Sequence, residues 1–165
     1  MDGTVEVDAS VTQDRFEELH SRRDRLYRAV ALAVGDAGLA AEAIDEAMAR
    51  AYARWDRIGA YSSPEGWVYR VAINVARSAL RKTRREDLWE LPPEEAVADD
   101  HPDLELRAAI GRLPVKFRSV VVARYLLDWS TAVTAQALGI PEGTVKVRLK
   151  RALSRLAEDL KGAEG

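Results

Sequence analysis

Apolar positions along this chain return every three or four residues and show no useful alternation, which is the period of helices and not of strands. Phe16, Leu19, Leu26, Tyr27, Val30 and Val34 follow one such stripe. Gly35 and Gly38 bracket a break, and Ile44, Ala47, Met48, Ala51, Tyr52 and Trp55 form a second stripe. The stretch RIGAYSSPEG reads as a loop closing on a helix start, because Ser62 with Glu65 three residues later fits a capping box and Pro64 suits a first turn. A third helix is predicted from about Pro64 to Lys82, with Val68, Val71, Ala72, Val75 and Ala79 inward. Downstream the pattern predicts helices over Leu104 to Leu113, Pro114 to Leu127, Ser130 to Leu138 and Pro141 to Leu160. The expected fold class is all-α.

Composition narrows the chemistry. The 165 residues suit one ordinary domain or two small ones. There is no cysteine, so disulfides and thiolate metal sites are excluded. His20 and His101 stand far apart with no ligand spacing, and neither a metal nor a cofactor is expected. No apolar run is long enough to span a bilayer, and Met1 to Ser10 does not read as a signal peptide, so a cytoplasmic protein is expected.

A net charge of −2 conceals a strong pattern. Residues Trp67 to Arg85 carry Arg70, Arg77, Arg81, Lys82, Arg84 and Arg85 with no acid. Glu86 to Glu105 is acidic throughout and has no Lys or Arg. Leu106 to Leu156 is basic again, with only Asp128 and Glu142 opposing. Two basic blocks around an acidic one point to two anion-binding surfaces. Pro92, Pro93 and Pro102 lie in or beside the acidic block and break helices there, so residues 86–103 read as a linker between domains at 14–85 and 104–161.

Each basic block has helical order. Ser130 can cap a short helix ending at Leu138, Gly139 can take the left-handed turn, and a new helix starts near Pro141, which is the helix-turn-helix pattern. In the second helix Val145, Leu149, Ala152, Leu156 and Leu160 make the buried stripe, while Lys146, Arg148, Lys150, Arg151 and Arg155 take the other faces. A helix reading the major groove needs this division, although a solvated cationic face would look alike. Arg70, Asn74, Arg77 and Arg81 fall at i, i+4, i+7 and i+11 and share a face. Asn74 can pair with a base edge, and nearby Trp67 and Tyr69 can stack on an unpaired base; the plainer alternative makes Asn74 a solvent residue and Trp67 a core residue.

At this point a resemblance enters. SPEGWVYRVAINVARSALRKTRR is similar to the promoter-melting, −10-reading segment of sigma factors, and AIGRLPVKFRSVVVARYLLDWSTAVTAQALGIPEGTVKVRLKRALSRL resembles their −35-reading domain. The short two-domain layout resembles the extracytoplasmic-function (ECF) group of the sigma-70 family. The resemblance implies a subunit that binds core RNA polymerase, recognises promoters and opens the −10 region. It implies that Asn74 is the −10 base-contacting asparagine and that Ile58 to Glu65, with Tyr61 and Ser63, is a base-pocket loop; Trp67, Arg70, Arg77 and Arg81 join Asn74 as −10 contacts on the helix-face pattern above. The resemblance also implies −35 contacts by Lys146, Val147, Arg148, Lys150 and Arg151, and polymerase docking by Glu42, Asp45 and Glu46. Core polymerase and promoter DNA are the implied partners, an anti-sigma factor is a further candidate, and no membrane is involved. Two stretches depart from the family pattern: on the second helix Ala43 stands where aspartate is usual and Glu46 where glutamine is, and Val133–Thr134 replace a glutamate–isoleucine pair before the turn.

Two other functions compete. A free-standing helix-turn-helix regulator would bind operators without polymerase, but the chain has no evident dimerisation helix and the second basic surface would go unexplained. An enzyme is not expected, since no nucleophile with a nearby base, metal cluster or glycine-rich phosphate loop is evident.

Overall fold

The computed structural model describes residues 9–86 and 102–164. Among these the order is α1 (Ala9–Ser21), α2 (Arg23–Val34), α3 (Ala37–Ala53), α4 (Trp55–Ile58), α5 (Pro64–Glu86), α6 (Pro102–Arg112), α7 (Val115–Tyr125), α8 (Thr131–Leu138) and α9 (Glu142–Glu164), with no strand. The expected linker lies almost wholly outside the described residues.

The first predicted stripe is two helices rather than one. Ser21 Oγ donates to the Glu18 carbonyl at 2.6 Å, taking up an acceptor that a continuing helix would use, and the chain turns at Arg22 before α2. Gly35 closes α2 at φ 81°, where other residues are strained, and its N–H reaches the Ala31 carbonyl at 2.8 Å. Asp36 then caps α3 by accepting from the Leu39 N–H at 3.0 Å. α3 buries Ala40, Ala43, Ala47 and Ala51 beside Ile44 and Met48. These small side chains let it lie close against both α2 and α5. The stretch expected as a plain loop begins with α4, where Trp55 Nε1 donates to the Thr12 carbonyl at 2.7 Å and holds α1 in place.

The cap of α5 is shifted by one residue from the expected one. Ser63 Oγ, not Ser62, accepts from the Gly66 N–H at 3.1 Å. Pro64 occupies the first helical position, so Ser63 is the residue in capping register. Ser62 instead accepts from Gln136 Nε2 of α8 at 3.1 Å, and Glu65 forms an ion pair with Arg22. The buried face of α5 is Val68, Tyr69, Ala72, Ile73 and Ala76, rotated from the expected stripe, with Val71, Val75 and Ala79 only half-buried.

α8 packs on α5 and turns its face this way, and one side chain, Tyr69, reaches on to α7. α7 buries residues around nearly its whole circumference: Phe117, Ser119, Val120, Val121, Val122 and Ala123. A helix apolar all round is a central one. Phe117 and Val121 cluster with Ala152 and Leu156 of α9. Val120 meets Ala135 and Val145, while Val122, Ala123 and Leu127 enter the same core as α2, α3 and α5. The N- and C-terminal halves thus share one core. Tyr69, wholly buried, donates from its phenol to the Ser119 carbonyl at 2.9 Å and stands edge-on to Trp129 at 5.3 Å. A Cβ added at Gly66 would come within 2.9 Å of Ala137 Cβ, so α5 and α8 touch where both carry minimal side chains.

Candidate promoter-DNA interfaces

The helix-turn-helix forms as its residues dictate. Ser130 Oγ accepts from the Val133 N–H at 3.1 Å, and Gly139 ends α8 at φ 66°. Val145, Ala152 and Leu156 of α9 are buried, with Leu149 and Leu160 half-buried. Lys146, Val147, Lys150 and Arg151 are exposed, and Arg148 is half-buried. Val147 is 48% exposed, an apolar side chain presented among cations, which suits contact with a thymine methyl. Arg155 lies over the Phe117 ring at 4.8 Å and is partly engaged within the protein.

The predicted arginine face of α5 divides in two. Arg70, Asn74 and Arg77 line a cavity of about 160 Å³ together with Lys116, Ser119, Leu138, Ile140 and Arg148. Arg81 lines a wider cleft of about 1080 Å³ with Arg77, Arg112, Lys116 and Arg118. The two basic surfaces expected to act apart therefore face each other: Asn74 and Arg148 open onto the same cavity. Arg70 reaches furthest across, since a Cβ at Gly139 would sit 2.7 Å from its Nη1. Lys116, which sequence reasoning passed over, belongs to this site through tertiary placement alone.

Trp67 is half-buried against the core, leaving part of its ring accessible. Tyr69 is a correction: the sequence suggested stacking on a base, whereas the structure buries it between the halves. Tyr61 is 40% exposed on the loop before α5, with its carbonyl accepting from Arg15 at 3.5 Å. Ser63 lies beside it, its hydroxyl oxygen engaged as the cap.

On α3, Glu42, Asp45 and Glu46 are all exposed. Asp45 forms an ion pair with Arg23, and Glu46 with Arg50 at 2.9 Å. Glu42 has no cationic partner among the described residues. Ala43 is 1% exposed, so at this departure from the family pattern the alanine packs in the core. Among the described residues no group of three or more His, Cys, Asp or Glu could hold a metal, and no helix is long and apolar enough to cross a membrane.

A helix-turn-helix beside a second basic helix face, in an all-α chain, defines a DNA-binding class of protein with two candidate reading surfaces. The family models for sigma-70 region 2 and sigma-70 region 4 match residues 17–86 and 103–156 respectively. The RNA polymerase sigma-E factor of Streptomyces avermitilis is 37% identical over 155 residues, covering 90% of this chain and 87% of that protein. The ECF RNA polymerase sigma factor SigM of Mycobacterium tuberculosis is 33% identical over 156 residues, covering 90% and 80%. Among solved structures, the sigma factor RpoE from Bartonella quintana, in a co-crystal with the anti-sigma factor NepR, shares the fold with a TM-score of 0.74 at 22% identity, covering 90% of this chain and 98% of that one. The chain belongs to the ECF group of sigma-70-family RNA polymerase sigma factors.

Proposed function

We propose that this sigma factor docks core RNA polymerase through α3, reads −35 duplex with α9, and traps an unpaired −10 base with α5. The roles fall to the residues named above: Glu42, Asp45 and Glu46 for docking; Lys146, Val147, Arg148, Lys150 and Arg151 for the −35 element; and Trp67, Arg70, Asn74, Arg77, Arg81, Tyr61 and Ser63 for the −10 element. Core polymerase and promoter DNA are its partners, in the cytoplasm, where both are found. Residues 14–85 and 104–161 act as the two domains, with 86–103 between them.

The observation that carries this reading is the pairing of Asn74 with flanking arginines on one face of α5, ahead of a separate helix-turn-helix. Arginines can hold the backbone while an amide reads a base edge. The same geometry sets a condition. Elements centred about 25 bp apart lie about 85 Å apart on B-form duplex, at ~3.4 Å per base pair. A compact chain of this length has a radius of gyration of about 15 Å and a diameter of about 40 Å. Asn74 and Arg148, sharing one cavity, cannot occupy both elements at once. Promoter binding on this account requires the α6–α9 half to leave the α1–α5 half.

The test is Asn74→Ala assayed with core polymerase on two templates. We predict normal core binding, because docking lies on another helix. Transcription from a fully paired promoter falls more than from one mismatched at the −10 element, where opening costs less. Equal loss on both templates removes Asn74 from promoter opening.

A further inference from the structure

The cavity between α5 and the helix-turn-helix brings together Arg70, Arg77, Lys116 and Arg148, with the Asn74 side chain and Ser119 on the same wall. Among the described residues no carboxylate lines it. None of the four cations forms an ion pair among the described residues; Lys116 makes only a cation–π contact with Phe117, at 5.2 Å. They come from three helices: α5 supplies two, α7 and α9 one each.

Such a cluster is costly for a closed molecule. Like charges crowded at the junction repel, more at half-buried Arg77 and Arg148 than at exposed Arg70 and Lys116. A guanidinium stays charged at any ordinary pH, so arginine cannot relieve this by losing its proton. Separation of the halves relieves the repulsion, and so does entry of an anion. The volume of about 160 Å³ equals about five waters at ~30 Å³ each, which suits a group of one or two phosphoryl units and excludes a duplex. Guanidinium groups offer paired N–H donors matched to phosphoryl oxygens, and the Asn74 amide supplies further donors.

We infer that the junction of the two halves is a binding site for a phosphate-class oxyanion, formed by Arg70, Arg77, Lys116 and Arg148 only when the halves are closed. The occupant neutralises the cluster and holds the closed arrangement. It therefore competes with promoter DNA by sequestering Asn74 and Arg148. This last consequence rests on the proposed roles of the two faces; the binding itself does not.

The experiment titrates the full chain with inorganic pyrophosphate at constant ionic strength, read by calorimetry and by energy transfer between dyes on the two halves. The chain has no native cysteine, so Ala49→Cys on α3 and Glu158→Cys on α9, both exposed, can be labelled cleanly. We expect saturable binding with increased energy transfer. Lys116→Gln and Arg148→Gln should each weaken binding about tenfold, the scale of one lost charge-assisted hydrogen bond. Tighter binding of a nucleoside triphosphate than of pyrophosphate, with the same dependence on Lys116 and Arg148, supports the site and assigns its ligand to nucleotides. An effect matched by chloride at equal ionic strength overturns the site, and so does wild-type affinity in both variants. Pyrophosphate binding that leaves promoter affinity unchanged supports the site while counting against the roles assigned to Asn74 and Arg148.

Discussion

Tyr69 joins the halves through one phenol, buried and donating to the Ser119 carbonyl. Tyr69→Phe removes that bond while keeping the ring against Trp129. We predict a loss of about 1 kcal/mol, a shift of about fivefold towards the open arrangement. Energy transfer between the labelled halves should fall while helix content stays constant. Burial also pushes the Tyr69 phenol up from its ordinary value of 10.0. The folded chain thus holds this proton more tightly than the unfolded chain does. The resulting stability is whole below about pH 10 and drains as pH rises above it. A melting profile flat through that range in the native chain would contradict this assignment. Thr134 presents the opposite case: wholly buried, its hydroxyl has no hydrogen-bond partner among the described residues. It stands where the family pattern has isoleucine, so Thr134→Val should stabilise the fold by about 1 kcal/mol and raise the thermal midpoint by about 2–4 °C. A lowered midpoint would mean that the hydroxyl is satisfied in solution.

At the scale of elements, legibility followed whether a helix answers to local chemistry or to a neighbour. α8 and its turn could be read directly, because Ser130 and Gly139 act on their own backbone. The cationic surface of α9 was legible for the same reason: its apolar stripe leaves those positions outside. The α5 cap was misplaced by one residue, since two adjacent serines offer the same chemistry and only Pro64 sets the register. The inward face of α5 was misjudged because α8 comes to lie on it and Tyr69 reaches α7, which no local pattern encodes. The acids of α3 were visible in the sequence, and so was Arg50 as a partner for Glu46, but Arg23 as a partner for Asp45 was not. Arg50 is one turn away, whereas Arg23 reaches Asp45 from another helix. Glu42, left without a cation, is the one most available to a basic partner surface. We predict that Glu42→Lys weakens core-polymerase binding about tenfold, within the range of close charge pairs at interfaces, without loss of helix content. Unchanged affinity in a pull-down titration would remove Glu42 from the docking surface.

At the scale of the whole molecule, a sequence that reads as two basic surfaces folds with those surfaces turned towards each other. The sharing of one core through Val122, Ala123 and Leu127 makes this a closed state rather than a loose encounter. Promoter recognition then includes the cost of parting α5 from α8. The most direct measurement uses Gly66→Cys with Ala137→Cys, in a chain that has no other cysteine. A Cβ at position 66 lies 2.9 Å from that of Ala137, within about 1 Å of the ~3.8 Å usual for a disulfide. Transcription from a promoter with both elements would be measured with core polymerase before and after reduction. The account predicts almost no transcript from the oxidised protein and recovery on reduction. Undiminished transcription by the fully cross-linked protein would contradict it.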